Sequence, residues 1–129
     1  MNKYDDILIE LNGYIAKLTI RRPPNNFFDS FLIQQIADAY EELDSVDECR
    51  VILLCSEGKN FCAGANFGKD KDMHDKSHPY SKLYDQAVRL FRTNKPVIAV
   101  VQGAAVGGGL GLALSADFRI ACPEAKFSA

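Results

Sequence analysis

Two short apolar runs rich in branched side chains, Val51–Cys55 and Val97–Val101, each lead toward a turn built on small residues, and this repetition constrains the fold more than any other feature. Runs of that length without alternation suit strands covered on both faces. Leu83, Ala87, Leu90 and Phe91 lie between them at helical spacing, and Asn94-Lys95-Pro96 ends that helix. Upstream, Leu32, Ile36, Tyr40 and Leu43 predict a helix over Asp29–Leu43, with Asp29 or Ser30 as its cap. Ile7–Leu11 and Ala16–Ile20 alternate around Asn12-Gly13, which predicts a β-hairpin with a type I′ turn. Pro23 and Pro24 stop its second strand. Downstream, Gly103–Gly109 reads as a glycine-rich turn, Leu110–Ser115 as a short helix and Asp117–Ala121 as a strand, and Phe127 begins a further element. The alternation implies an α/β protein with its sheet covered by helices.

Composition excludes several classes of function. The chain of 129 residues fits one domain, and its 47% hydrophobic content can build a core. A net charge of -2 argues against nucleic acid as the main partner. No apolar run approaches the ~20 residues of a membrane span, and the opening residues hold no signal-peptide core, so a cytoplasmic protein without a membrane partner is expected. Cys49, Cys55, Cys62 and Cys122 form no CxxC pair and read as buried thiols, and no metal site is expected. Residues 66–79 are polar and charged, the composition of a mobile loop. Within it, Asp70, Asp72 and Asp75 read as solvated charges, and His74 and His78 lack the glutamate of HExxH.

The chemistry-bearing features are the two turns, Phe61-Cys62-Ala63-Gly64-Ala65-Asn66 and Gly103-Ala104-Ala105-Val106-Gly107-Gly108-Gly109. Small side chains let a ligand oxygen approach the main chain, and glycine also tolerates positive φ. The second turn opens a helix, whose first N–H groups lack internal partners and carry partial positive charge. A developing oxyanion would be stabilised there. A dinucleotide fingerprint fails because Leu112 stands where a glycine is needed, and a P-loop fails because Asp70 replaces the magnesium-holding hydroxyl.

The string FCAGANF resembles the first oxyanion-hole motif of the enoyl-CoA hydratase/isomerase (crotonase) superfamily, and VIAVVQGAAVGGGLGLALSADFRIA resembles the second. ACPEAKFSA resembles the strand that follows, and RRPPNN the N-terminal signature. The resemblance implies a crotonase-like ββα spiral, of which residues 1–129 are the N-terminal portion, in a homo-oligomer. It implies that the backbone N–H groups of Ala65 and Gly108 polarise the thioester carbonyl of an acyl-CoA substrate, with no separate cofactor. Ala63, Asn66 and Phe67 would then cradle the adenine and ribose phosphate, with Lys69 as a phosphate contact.

Two departures from the family pattern bear on the reaction. Hydratases of this family carry a glutamate three residues after the second oxyanion-hole glycine, where this chain has Gly111. A second glutamate would lie beyond Ala129. Proton transfer needs a titratable group in reach, so two functions stay open. One is enolate chemistry of the hydratase or isomerase type, completed by a C-terminal half; the other is a non-catalytic CoA-thioester-binding or interaction module. Phe27, Phe28 and Tyr40 read as core or subunit-contact residues, or as walls of an acyl pocket.

Overall fold

The computed structural model describes residues 3–65 and 81–129, so the expected mobile loop lies outside the described residues. Strands β1 (Ile7–Asn12) and β2 (Ile15–Ile20) form the expected hairpin and pair antiparallel, Ile7 opposite Ile20 and Ile9 opposite Leu18. Its connection is Gly13-Tyr14, one residue later than the Asn-Gly reading. Positive φ falls on Gly13 (62°) and not on Tyr14, the pattern of a type II′ turn, which needs glycine only at its first central position. The alternation of Ile7, Ile9, Leu18 and Ile20 fixes which faces meet, and the loop takes the residues that remain.

Helix α1 (Ser30–Asp44) follows, and Asp29 is its cap: extended, with a side-chain oxygen that accepts the Leu32 N–H at 2.9 Å. Leu32, Ile33, Ile36, Ala37, Tyr40 and Leu43 form its buried stripe. After β3 (Val51–Ser56) and the first small-residue turn, α2 (Ser81–Arg89) ends in a 3-10 turn at Leu90–Arg92 and delivers the chain to β4 (Val97–Val101). Arg89 ties α2 to α1 through Asp38 at 2.6 Å and Glu41 at 2.9 Å. The Asp44 carboxylate, at the end of α1, accepts the Asn94 and Lys95 N–H groups and so sets where β4 begins.

The region read as one glycine-rich turn contains a strand, β5 (Ala104–Val106), before α3 (Gly108–Ser115), β6 (Phe118–Ala121) and β7 (Lys126–Ser128). The main sheet has the order β1-β2-β3-β4-β6, parallel from β2 onward, and β5 pairs with β7 in a second, two-stranded sheet. Strand β5 has no strand-like sequence of its own; it is made by its partners. Among the described residues no helix is long and apolar enough to cross a membrane.

One face of the main sheet carries Ile9, Leu18, Leu54 and Ala99 into the core with α1. Leu18 and Leu54 are fully buried, and each such side chain contributes roughly 2 kcal/mol. Among the described residues β3 and β4 are buried on one face and only partly covered on the other. Leu53, Ile98 and Phe118 align across the opposite face by register, Phe118 is 63% exposed, and no described element packs over it. Cys49 and Cys62 are buried as expected, but Cys55, on the open face, and Cys122 are only partly so.

Tyr40 is buried to 2% exposure, and its hydroxyl has no hydrogen-bond partner among the described residues. An unsatisfied buried hydroxyl costs about 1–3 kcal/mol. Tyr40→Phe is therefore expected to leave the denaturant midpoint unchanged or to raise stability by up to about 1 kcal/mol. A loss of that size would show that the hydroxyl has a partner.

Candidate functional site

Among the described residues, five main-chain bonds hold the first turn. Phe61, fully buried, donates its N–H to the Gln102 carbonyl at 2.8 Å, Cys62 to Ala104 at 3.0 Å and Ala63 to Asn25 at 2.9 Å. Val106 returns a bond to the Cys62 carbonyl at 3.1 Å, so Cys62 forms a parallel bridge with Ala105. Gly64 accepts the Phe28 N–H at 2.9 Å, and Ala65 lies opposite Phe28 in a second parallel bridge. In such a bridge one residue bonds the two neighbours of its partner, and the partner turns its own N–H away. Phe28 bonds Gly64, so the Ala65 N–H points away from Phe28.

The second turn brings a helix start to the same place. Gly107 donates to the Ser128 carbonyl at 2.9 Å, and the first helical bond of α3 runs from the Gly111 N–H to Gly107 at 3.2 Å. Gly108 is the first residue of α3, where N–H groups have no intrahelical acceptor. Neither its N–H nor that of Ala65 donates to any described residue. Gly109 joins the two turns by contact: a Cβ built on it would overlap the Cys62 carbonyl oxygen and lie 2.8 Å from the carbonyl carbon. Only a residue without a side chain lets α3 begin this close to the first turn.

Beside Gly108 opens an apolar cavity of about 250 Å³, with Phe28, Ile33, Leu83, Leu90, Gly108 and Gly111 in its wall. No described residue in that wall is a carboxylate or a histidine. Gly111 faces open space, since a Cβ there would meet nothing within 4 Å. Burial pushes the Cys62 thiol up, so it stays protonated and bonds the Gly64 carbonyl at 3.8 Å. It shapes the turn and offers no nucleophile.

The structure thus brings Ala65 and Gly108 to one locality and places Ala63 in the same turn, with its N–H already engaged by Asn25. Asn66, Phe67 and Lys69 lie outside the described residues, as do Asp70, Asp72, Asp75, His74 and His78. Among the described residues no group of three or more His, Cys, Asp or Glu side chains could hold a metal ion. The sequence reading gave no role to Asn26 or Asn60, which support the first turn. Asn26 is fully buried at φ 52°, accepts the Arg22 N–H at 2.9 Å and donates to the Glu57 and Asn60 carbonyls at 2.7 Å each. Asn60 in turn bonds the Asn25 side chain and, at 2.9 Å, the Ala104 N–H. The available signal was the string RRPPNN, which is polar yet sits between a strand and a capped helix.

Known proteins share this arrangement of turns and strands. The sequence profile described as enoyl-CoA hydratase/isomerase matches residues 10–129. A Mycobacterium tuberculosis protein named "Probable enoyl-CoA hydratase" is 35% identical over 132 residues, covering 100% of this chain and 52% of its own length. The 1,2-epoxyphenylacetyl-CoA isomerase of Escherichia coli is 33% identical over 129 residues, covering 94% of this chain and 49% of its own. Among solved structures, enoyl-CoA hydratase subunit I of Geobacillus kaustophilus superposes with a TM-score of 0.85 at 30% identity, covering 98% of this chain and 49% of that one. The chain spans about half the length of the curated relatives it matches. Its parallel sheet and helices are the corresponding portion of a crotonase fold. Since the profile takes in both turns, the elements that position them and nearly all of the sequence, the chain belongs to the enoyl-CoA hydratase/isomerase family.

Proposed function

We propose that this chain binds an acyl-CoA thioester, and that the N–H groups of Ala65 and Gly108 receive its carbonyl oxygen as an oxyanion hole. The observation that carries this reading is the seat of Gly109 on the Cys62 carbonyl, which sets the N-terminus of α3 beside the first turn. Two N–H groups without a described acceptor then lie in adjoining turns, one of them at a helix start. Negative charge that develops on the thioester oxygen, in an enolate or on addition to a conjugated double bond, is stabilised by such fixed donors. The apolar cavity beside Gly108 suits the acyl chain. Ala63 offers a carbonyl to the nucleotide end, since its N–H is engaged, and Asn66, Phe67 and Lys69 follow it in sequence.

A second reading is favoured by Gly111, which faces open space and leaves the described cavity wall without a carboxylate. Polarising a thioester is not sufficient for hydration or isomerisation, each of which moves a proton. On this reading the chain binds and polarises, and any proton-transfer group lies elsewhere.

Calorimetric titration with butyryl-CoA, and assays of crotonyl-CoA hydration and double-bond isomerisation, separate the two. Saturable binding without turnover is expected. Absence of binding by the folded chain would sink the thioester reading; turnover would show that a proton-transfer group is already in place. Ala65→Pro removes one donor and is expected to weaken butyryl-CoA binding by up to about tenfold, the value of a single net hydrogen bond. Ala65→Gly keeps the donor and should bind like the parent; equal binding by both variants would remove Ala65 from the site.

A further inference from the structure

Phe28 touches both turns by different atoms. Its backbone N–H holds the Gly64 carbonyl at 2.9 Å, which orients the peptide that leads to Ala65. Its ring edge lies against the Cα of Gly108: a Cβ built there would overlap the ring carbons Cζ and Cε1. Both ends of the residue are fixed from behind. Phe28 is 7% exposed and shares the cavity wall with Ile33, Leu83 and Leu90. The backbone is held by the Arg22 guanidinium on the Phe27 carbonyl at 3.1 Å and by Asp29, the cap of α1, which Arg22 also pairs at 3.0 Å.

We infer that Phe28 is a positioning residue of the oxyanion hole, setting the spacing between the Ala65 and Gly108 N–H groups through its backbone on one side and its ring edge on the other. The inference rests on the oxyanion-hole reading above. Hydrogen-bond strength falls steeply with distance and angle, and electrostatic preorganisation depends on donors that do not shift when charge develops. A ring wedged against Gly108 limits how far the start of α3 can slide toward the cavity. The same geometry distinguishes two small changes. Phe28→Leu withdraws the ring edge and leaves α3 free to move in; Phe28→Tyr adds an oxygen at Cζ, an atom already in contact with Gly108, and pushes α3 out.

The test uses butyryl-CoA with carbon-13 at the thioester carbonyl, which lacks the double bond and stays intact, and reads the infrared carbonyl stretch free and bound. In the parent the band is expected to move to lower wavenumber on binding. Phe28→Leu and Phe28→Tyr are each expected to keep a folded circular dichroism spectrum and to lose at least half of that displacement. Because Phe28 also lines the cavity offered to the acyl chain, the affinity of each variant is measured by calorimetry and the band is read at saturation. Ala65→Pro, which removes a donor outright, marks the size of a broken hole. A full displacement in either folded variant overturns the positioning role and leaves the oxyanion hole standing. A parent that binds butyryl-CoA with no displacement overturns the hole itself, and the inference with it. Should Phe28→Leu not fold, Phe28→Tyr, which removes no atom from the core, decides alone.

Discussion

Gly109→Ala is expected to cost at least about 4 kcal/mol of stability, at the far end of what a single added methyl does. The methyl would enter the Cys62 carbonyl, a backbone group that cannot swing aside as a side-chain tip can. Cys62 cannot retreat either, because its N–H is bonded to Ala104 and its carbonyl receives the Val106 N–H. Gly109 is buried and held in the first turn of α3. Relief therefore requires breaking the bridge between Cys62 and Ala105 or unwinding the helix start, and either separates the two turns of the proposed site. Gly111, two residues along the same helix, is the control. With nothing within 4 Å of its Cβ position, Gly111→Ala meets no clash, and it should stabilise by about 0.8 kcal/mol through helix propensity. Denaturant unfolding of both variants measures the contrast. A Gly109→Ala chain within about 1 kcal/mol of the parent would mean that the turns do not depend on this contact.

The elements that could be read from sequence are those whose signals are local. Asp29 as a cap, the stripe Leu32, Ile36, Tyr40 and Leu43, and the runs that became β3 and β4 each declare themselves within a few residues. Strand β5 does not, because Ala104-Ala105-Val106 becomes a strand only by pairing with β7 and by bonds to Cys62. The turn of the hairpin was displaced by one residue because glycine satisfies either turn type and the deciding vote came from cross-strand pairing. The branched runs promised cover on both faces of the sheet, whereas among the described residues Leu53 and Ile98 are only partly buried and Phe118 is exposed. For the site, the two small-residue turns were legible because FCAGANF and VIAVVQGAAVGGGLGLALSADFRIA occur together and resemble a pair of family motifs, whereas the glycines alone also fit a tight turn. The parts that hold them were not. Phe28 read as a core or subunit-contact aromatic or as the wall of an acyl pocket, and its contact with Gly108 depends on where a distant helix begins.

Asn26 is the clearest case of a residue whose importance the sequence conceals, and Asn26→Ala is expected to destabilise by about 4 kcal/mol. Its side chain spans three backbone groups, accepting from Arg22 at 2.9 Å and donating to the Glu57 and Asn60 carbonyls at 2.7 Å each. Alanine would leave these groups facing the space that the fully buried Asn26 side chain fills. Ser56 also reaches the Asn60 carbonyl, at 3.3 Å, so that group keeps a partner, while Glu57 and Arg22 do not. The backbone adds to the cost: Asn26 sits at φ 52°, a region asparagine tolerates and alanine enters at about 1 kcal/mol or more. Asn26→Gly removes the hydrogen bonds but not the backbone ease, so it should recover about that 1 kcal/mol relative to alanine. The damage should not stay local. Asn26 fixes the Asn60 backbone, the Asn60 side chain holds the Ala104 N–H, and the Asn25 carbonyl beside it receives the Ala63 N–H. One buried amide thereby supports both turns from beneath. Butyryl-CoA affinity measured where the variant is still fully folded should fall as well, and unchanged affinity there would confine Asn26 to stability. A variant within about 1 kcal/mol of the parent would show instead that the three backbone groups find other partners.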